Sequence, residues 1–345
     1  MDQNLSDEPF IRQQSLKRIL IVKIGAIGDV VMTLPLLTYF RKRSPSIHIT
    51  WVAGKTVAPI LQATKMIDQI IQVDECALFK GSFSKRIAQL LRIQTKFIGK
   101  SFDLILTGHI DKRYRLISLF AKSRNRRALQ RGNQRQCPVA GRYHANEYLR
   151  LASEIDDWNL FEEDLPELTI QTSKHWDCNG IALAPGGAKN ILAEDDLRRW
   201  PVEHYAELAQ KLKSCGIQVF LTGSSSDLWT VPYFEGLDCR NLIGKLDLLE
   251  TIQLYQHIKL LITHDSGPLH LAKLARCPAI GLFGPTNPAE KVGKKDRIRV
   301  LWGGENLTCR PCYDGKRYAP CKQNKCLQEI TVQQVFSEIR SFFHF

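Results

Sequence analysis

The feature that most constrains this chain is an alternation. Short runs rich in β-forming residues occur at 19–22, 47–52, 70–73 and 104–106, each near a Gly, Asp or Pro breaker. Between them, "DVVMTLPLLTYFRKRSP" and "SKRIAQLLRIQTKFIG" carry helical apolar spacing, and Pro45 and Gly99 help mark where they stop. A polar stretch at 171–179 reads as a hinge, after which the pattern begins again. Residues 181–184 lead into "PGG", 219–221 into "TGSSSD", 260–263 into "HDSG" and 279–283 into "GPT". Strand–helix alternation of this kind implies an α/β fold with parallel sheets covered on both faces. Ligands of such sheets bind beyond the carboxyl ends of the strands, so the second set of strand ends outlines a binding rim.

The whole reads as two similar doubly wound domains facing across a cleft, with a single large α/β domain as the alternative. The expected boundaries are 16–172 for the first domain, 178–327 for the second, and 328–345 for a final amphipathic helix with Ile330, Val332, Val335, Phe336, Ile339 and Phe342 on one face. No internal repeat at a solenoid period and no low-complexity tract is visible.

A chain of 345 residues is long enough for two buried cores, and 44% hydrophobic with 24% charged residues is a soluble globular composition. No uncharged apolar run reaches the ~18 residues of a membrane span. The opening "MDQNLSDEPFIRQQS" is polar and acidic, unlike a secretory signal, and reads as a lead-in to the first strand. A cytoplasmic location is expected, with room for peripheral contact at the cytoplasmic face of the inner membrane.

The net charge of +13 is uneven. Residues 112–146 contain no Asp or Glu, but hold Lys112, Arg113, Arg115, Lys122, Arg124, Arg126, Arg127, Arg131, Arg135 and Arg142. This is either a solvated surface or a field that attracts an anionic partner: a phosphorylated substrate, acidic lipid headgroups or nucleic acid. Of the 10 cysteines, Cys309, Cys312, Cys321 and Cys326 are clustered and the others scattered. Without a secretory signal a disulfide framework is not expected. Four thiols of this kind can close a tetrahedral zinc site or a mononuclear iron site, or remain reduced and packed. In either case they would brace the segment before the last helix.

Chemistry concentrates in three stretches. In "KIGAIGDVVMTLP", residues 23–35, a strand meets a glycine turn and a helix, the usual setting of a phosphate cradle. Asp29, however, would repel an anion there, and "GAIGD" lacks the G-x-G pair of a dinucleotide fingerprint, which argues against an oxidoreductase. Asp29 is then either a helix cap or an acid projected from the turn that Gly25 and Gly28 allow. In "LLITHDSGPLHLAKLARCPAIGLFGPT", Asp265-Ser266-Gly267-Pro268 stands between a strand and a helix. Proline suits the first helical position, glycine permits close approach, and the free amides with the Ser266 hydroxyl would suit a diphosphate. His270, one turn in, is a phosphate donor or a core histidine. Upstream, "PGGAKN" supplies Lys189, and Arg198 before Arg199-Trp200-Pro201 can clamp a phosphate.

Taken in order, Gly28-Asp29 with Pro35, "RRWP", "TGSSSD", "DSGPLHLA" and "GLFGPTNP" resemble the heptosyltransferase family of glycosyltransferases, the ADP-heptose:lipopolysaccharide enzymes, from about Arg18 to Ile330. The resemblance implies a GT-B fold whose first domain holds an anionic glycolipid acceptor and whose second holds a nucleotide-sugar donor. It implies that the last helix crosses back onto the first domain, and that inverting transfer needs no metal or other catalytic cofactor. By the same resemblance Asp29 matches the catalytic base. Asp265, Ser266, Gly267 and His270 match donor-sugar and phosphate contacts, with Gly186, Gly187, Lys189, Arg198 and Ser224 completing the donor set. Arg198 stands where the family usually has lysine, which keeps the charge and changes the geometry. No clear counterpart appears for the family's acidic nucleotide contact in or near residues 224–227. Arg113, Arg115, Arg124, Arg126 and Arg127 would hold the acceptor's negative charges. The competing readings are a GT-B transferase with another nucleotide sugar, and a basic, zinc-stabilised nucleic-acid binder. Against the latter, the basic stretch offers only Tyr114, Phe120 and Tyr143 for stacking and lacks an RNA-binding signature.

Overall fold

Strands whose two faces are both covered must be largely apolar, and the interior strands here show it. β1 (Arg18–Val22), β6 (Ile181–Ala184), β9 (Leu260–His264) and β10 (Ala279–Phe283) are buried along almost their whole length. Around them the computed structural model builds two parallel sheets. It describes residues 16–132, 136–155, 157, 161, 164–171, 176, 179–189, 195–313, 318–321 and 323–343. The lead-in at 1–15, most of the hinge at 171–179, Cys178 and Arg135 lie outside the described residues.

The first sheet has the order β3-β2-β1-β4-β5, with β2 (His48–Gly54), β3 (Gln69–Val73), β4 (Ser101–Thr107) and β5 (Lys122–Ala128). Its helices are α1 (Ile27–Thr33), α2 (Pro35–Arg43), α3 (Ala58–Ala63), α4 (Glu75–Phe79), α5 (Phe83–Gln94) and α6 (His144–Ser153). The helical pattern after β1 is cut in two by Pro35, which lacks the N–H to continue α1 and instead opens α2. Leu20, Val22, Ile24, Val52, Ile105 and Phe97 meet in the core.

The second sheet has the order β11-β10-β9-β6-β7-β8, with β7 (Val219–Leu221), β8 (Arg240–Asn241) and β11 (Ile298–Trp302). Its helices are α7 (Val202–Ser214), α8 (Leu248–His257), α9 (Gly267–Leu274), α10 (Lys325–Gln328) and α11 (Val332–Phe343). Every registered strand pair in both sheets is parallel. In each sheet the order reverses beside the first strand, at β1/β4 and at β6/β9, the two switch points where such sheets bind ligands.

The chain divides into two compact units that differ from the expected domains in two respects. Residues Ala26–Val31, the glycine–aspartate turn and most of α1, group with the second unit, Leu168–Phe345, while Met1–Gly25 and Met32–Glu167 form the first. The last helix, expected to return to the first domain, buries Val332, Val335 and Ile339 in the core of the second unit with Trp200, Tyr205 and Leu208. Trp200 Nε1 donates to the Ile330 carbonyl at 2.8 Å and fixes its approach.

Candidate active site

In the second unit one carboxylate organises the turn after β6. The backbone at Gly187 has φ +87°, a conformation that favours glycine, and its N–H donates to Asp227 Oδ1 at 2.8 Å. A Cβ on Gly186 would lie 2.4 Å from Asp227 Cβ, so Gly186 leaves the space that Asp227 fills. The other oxygen, Oδ2, accepts from Ser224 N and Ser224 Oγ, both at 2.7 Å. Ser224, expected at the donor, thus has its hydroxyl on buried Asp227, and the turns after β6 and β7 are tied together. Lys189 follows on the exposed side of the same turn.

His264 and Asp265 are both buried. His264 shares a 3.1 Å hydrogen bond with the Tyr205 hydroxyl, and burial beside Arg198 and Arg199 pushes its pKa down to about 3, so it is neutral. Asp265 Oδ2 accepts from Thr286 Oγ1 at 2.8 Å and lies 3.6 Å from Arg198 Nη1. Burial works to raise the Asp265 pKa, but Arg198, Lys291, His270 and the Thr286 hydroxyl outweigh it and hold the group ionised below its ordinary range. Thr286 and Lys291 were not singled out by the sequence reading, although Thr286 stands in the quoted "GPTNP".

Arg198 closes this network. Its Nη2 reaches Asp195 Oδ2 at 3.0 Å, while its Nε is buried with no hydrogen-bond partner among the described residues. Burial alone would lower its pKa; Asp265, Tyr318 and Asp195 reverse the sign. Arg199 has a different task, donating from Nε to the Gly187 carbonyl at 3.0 Å.

Ser266 precedes α9 in extended conformation, buried, with its hydroxyl 3.3 Å from the His264 carbonyl. Pro268 occupies the first turn of α9 as expected. His270 is buried one turn in, and its Nδ1 has no hydrogen-bond partner among the described residues. Burial, with Lys273 and Lys291, pushes its pKa down to about 3, partly countered by Asp265 and Asp29. His270 is therefore a neutral imidazole at physiological pH.

Asp29 enters the same environment. It lies within the first turn of α1 rather than at the position before it. A Cβ on Gly28 would sit 2.4 Å from His270 Cδ2, and one on Gly267 3.6 Å from the Ile27 side chain. The glycine–aspartate turn therefore packs on the start of α9, with Asp29 within electrostatic reach of His270.

The expected acceptor arginines have varied surroundings. Arg113 pairs with Asp111 Oδ2 at 2.6 Å. Arg115 holds Nε and Nη2 buried with no partner among the described residues, and Arg124 is exposed. Arg126 bonds the Ser118 and Ala121 carbonyls, and Arg127 bonds the Ala152 carbonyl and Glu154. These last two hold backbone, a role that an acid-free composition does not reveal.

The cysteine segment adjoins Arg198. Cys312 N and Tyr313 N donate to the Pro285 carbonyl at 3.0 and 3.2 Å, and Asn324 Nδ2 donates to the Arg199 carbonyl at 2.7 Å. Burial raises the Cys326 thiol to about 11, with Cys312, Cys321 and Cys309 adding to the shift. The four thiols thus share one neighbourhood, but among the described residues no three ligating side chains are arranged to hold a metal ion, and Cys309 and Cys321 are exposed. The donor set of a tetrahedral zinc or iron site is not assembled in this arrangement.

Two parallel doubly wound sheets, with glycine, serine and aspartate turns at the carboxyl ends of the second, are the architecture of the GT-B class. The profile of glycosyltransferase family 9 (heptosyltransferase) matches residues 113–322, and the chain belongs to that family. It is 25% identical to lipopolysaccharide heptosyltransferase 2 of Escherichia coli K12, over 94% of this chain and 98% of that one. Among solved structures it is similar to a family 9 glycosyltransferase from Veillonella parvula, with a TM-score of 0.74 at 21% identity over 94% of this chain and 97% of that chain. It also resembles the E. coli heptosyltransferase WaaC with ADP-2-deoxy-2-fluoro heptose, with a TM-score of 0.71 at 20% identity over 94% of this chain and 99% of that chain.

Proposed function

We propose that this enzyme transfers a heptose from an ADP-sugar to an inner-core lipopolysaccharide acceptor, inverting the anomeric centre, with Asp29 as general base. The packing of the Gly28–Asp29 turn against His270 carries the reading, because it puts a carboxylate beside the α9 start. A sugar hydroxyl is a poor nucleophile at neutral pH. As its oxygen bonds to the anomeric carbon, its proton passes to the Asp29 carboxylate, and the bond from that carbon to the diphosphate oxygen breaks. The departing ADP carries the electron pair. Its negative charge would meet the α9 N-terminus, the unpartnered Arg198 Nε, and Lys189.

Ionised Asp265 faces Arg198 and Thr286 and would orient the donor sugar through its hydroxyls. Neutral His270 can donate one hydrogen bond to a phosphate oxygen. Arg115 and Arg124, which do not hold backbone, are the stronger of the proposed acceptor contacts. A cytoplasmic location, where thiols stay reduced, goes with this reading, and the cysteine segment braces Arg199 and the Pro285 turn. The relative WaaC, solved with an ADP-heptose analogue, supports adenine as the donor base. The test is a calorimetric screen of ADP-, UDP- and GDP-sugars, followed by NMR assignment of the anomeric configuration of the transferred sugar. Tight binding of a UDP-sugar alone, or retention of configuration, overturns the reading.

A further inference from the structure

The segment that carries the four clustered cysteines is fastened to the second sheet without use of a thiol. Cys312-Tyr313 and Tyr318-Ala319 pair antiparallel. Tyr313 bridges Tyr318, Ala319 N donates to the Cys312 carbonyl at 3.0 Å, and the two tyrosine rings lie 4.7 Å apart. The amides of Cys312 and Tyr313 meet the Pro285 carbonyl, and Pro285 directly precedes Thr286, whose hydroxyl holds Asp265. Before the paired arms, Arg310 Nη1 donates to the Trp302 carbonyl at 3.0 Å, and Trp302 Nε1 donates to the Gly284 carbonyl at 2.9 Å. After them, Asn324 Nδ2 holds the Arg199 carbonyl. These bonds seat Tyr318 at the carboxyl end of β10, in the neighbourhood of Asp265 and Arg198.

Tyr318 is half-buried there, within electrostatic reach of Arg198, Asp195 and Asp265. Its hydroxyl makes no hydrogen bond among the described residues. Arg198 Nε, buried beside it, has no partner among them either. The carboxylate at hand is already engaged, since Asp265 Oδ2 accepts from Thr286 and faces Arg198 Nη1. Two donors in one neighbourhood thus lack an acceptor, in a protein interior where polar groups are normally bonded. A phenol is protonated at neutral pH and donates without adding charge. An anionic oxygen gains from both donors at once, which a neutral sugar hydroxyl does less well.

We propose that Tyr318 is a contact for the donor's diphosphate, its hydroxyl and Arg198 Nε donating to phosphate oxygens of the nucleotide sugar. The inference rests on the donor reading above and adds to it a residue from outside the glycine-rich turns. It also gives the cysteine segment a task at the site: to carry Tyr318 there on arms fixed to the β10 turn. As the sugar leaves, charge grows on the diphosphate, and a donor already aimed at it stabilises that charge without reorganisation. The ring of Tyr318 rests on Tyr313, so its hydroxyl is the part free to bond a ligand.

The test is calorimetry of the full chain with ADP, wild type against Tyr318→Phe, followed by NMR of both proteins at saturating ADP. The variant loses one hydroxyl and keeps the ring, so its Tm should stay within a few degrees of wild type. Its affinity for ADP should fall ~10–100-fold, the worth of one hydrogen bond to a charged group. At saturation the phosphorus resonances of bound ADP should differ between the two proteins, while the adenine proton resonances coincide. A purely structural tyrosine would not confine its effect to the phosphates. Equal ADP affinity in the two proteins would sink this inference and leave the donor reading standing. A difference confined to the adenine protons would also sink it, by placing Tyr318 at the base. Failure of the wild-type protein to bind ADP, UDP or GDP would remove the donor reading and this inference together.

Discussion

The imidazole of His270 rests on the bare backbone of Gly28: a Cβ there would lie 2.4 Å from Cδ2 and 2.7 Å from Nε2. Gly28→Ala must therefore move the ring or the turn that bears Asp29. Displacement of about an ångström at a reacting group can cost ~10²-fold in rate. We expect a loss of that order in transfer by Gly28→Ala, with Tm within a few degrees of wild type. Unchanged turnover would separate the turn from the reaction.

Asp29→Asn keeps the shape of the turn and removes the proton acceptor. Donor affinity by calorimetry should stay near wild type, while kcat falls by ~10²–10⁴-fold. Near-normal turnover would leave Asp29 without a chemical role.

Arg198→Met leaves Asp265 buried with its nearest cation gone. Breaking a buried pair from one side costs ~3–5 kcal/mol. The Asp265 pKa is lowered in the folded protein, so its contribution is present at neutral pH and lost as pH falls through the folded value. The variant should therefore show a lower Tm at pH 7 and a smaller further loss on acidification than wild type. Arg198→Lys keeps the charge that the family usually places here, and should restore much of the Tm and much of the donor affinity, short of what the guanidinium's fork adds.

Glu75 offers a second pH test in the first unit. Burial, then the charge of Asp74, raises its pKa from 4.5 to about 7. The folded state therefore holds a proton that the unfolded state has released, and stability falls as pH rises from about 4.5 to about 7. Glu75→Gln should be more stable than wild type at pH 8, by no more than ~1–2 kcal/mol once solvent screening of this partly buried group is allowed for, and no more stable at pH 4. Parallel pH profiles of Tm for the two proteins would remove the basis for this assignment.

Ile339 is fully buried where α11 meets the second unit's core. Ile339→Ala should destabilise that unit by ~2–5 kcal/mol in urea unfolding. An effect under ~1 kcal/mol would mean that α11 is peripheral to the core.

The central strands were legible because burial on both faces forces unbroken apolar runs, as in "ILIV" of β1 and "LLIT" of β9. β5 was not, since "KSRNRRA" is an edge strand with exposed residues along most of its length, recruited through its backbone to β4. Its arginines suggested a binding surface, and two of them instead hold carbonyls of neighbouring segments. The "DSGPLH" turn was readable because proline, glycine and serine have local reasons to stand before a helix. Asp227 was not, because its partners lie 40 residues upstream at Gly187 as well as three away at Ser224. The fate of the last helix was hidden for a related reason: an apolar face says that it will be buried, not which core will take it.

The Asp227 keystone also limits how this part of the chain can change. Because one carboxylate fills the room beside Gly186 while holding Gly187 and Ser224, a lone substitution at any of these positions disturbs the rest. Homologues should accordingly vary there as a set, through paired replacements. A chimaera that imports one of the two loops without the other should therefore lose affinity for nucleotide, and one that imports both should regain it.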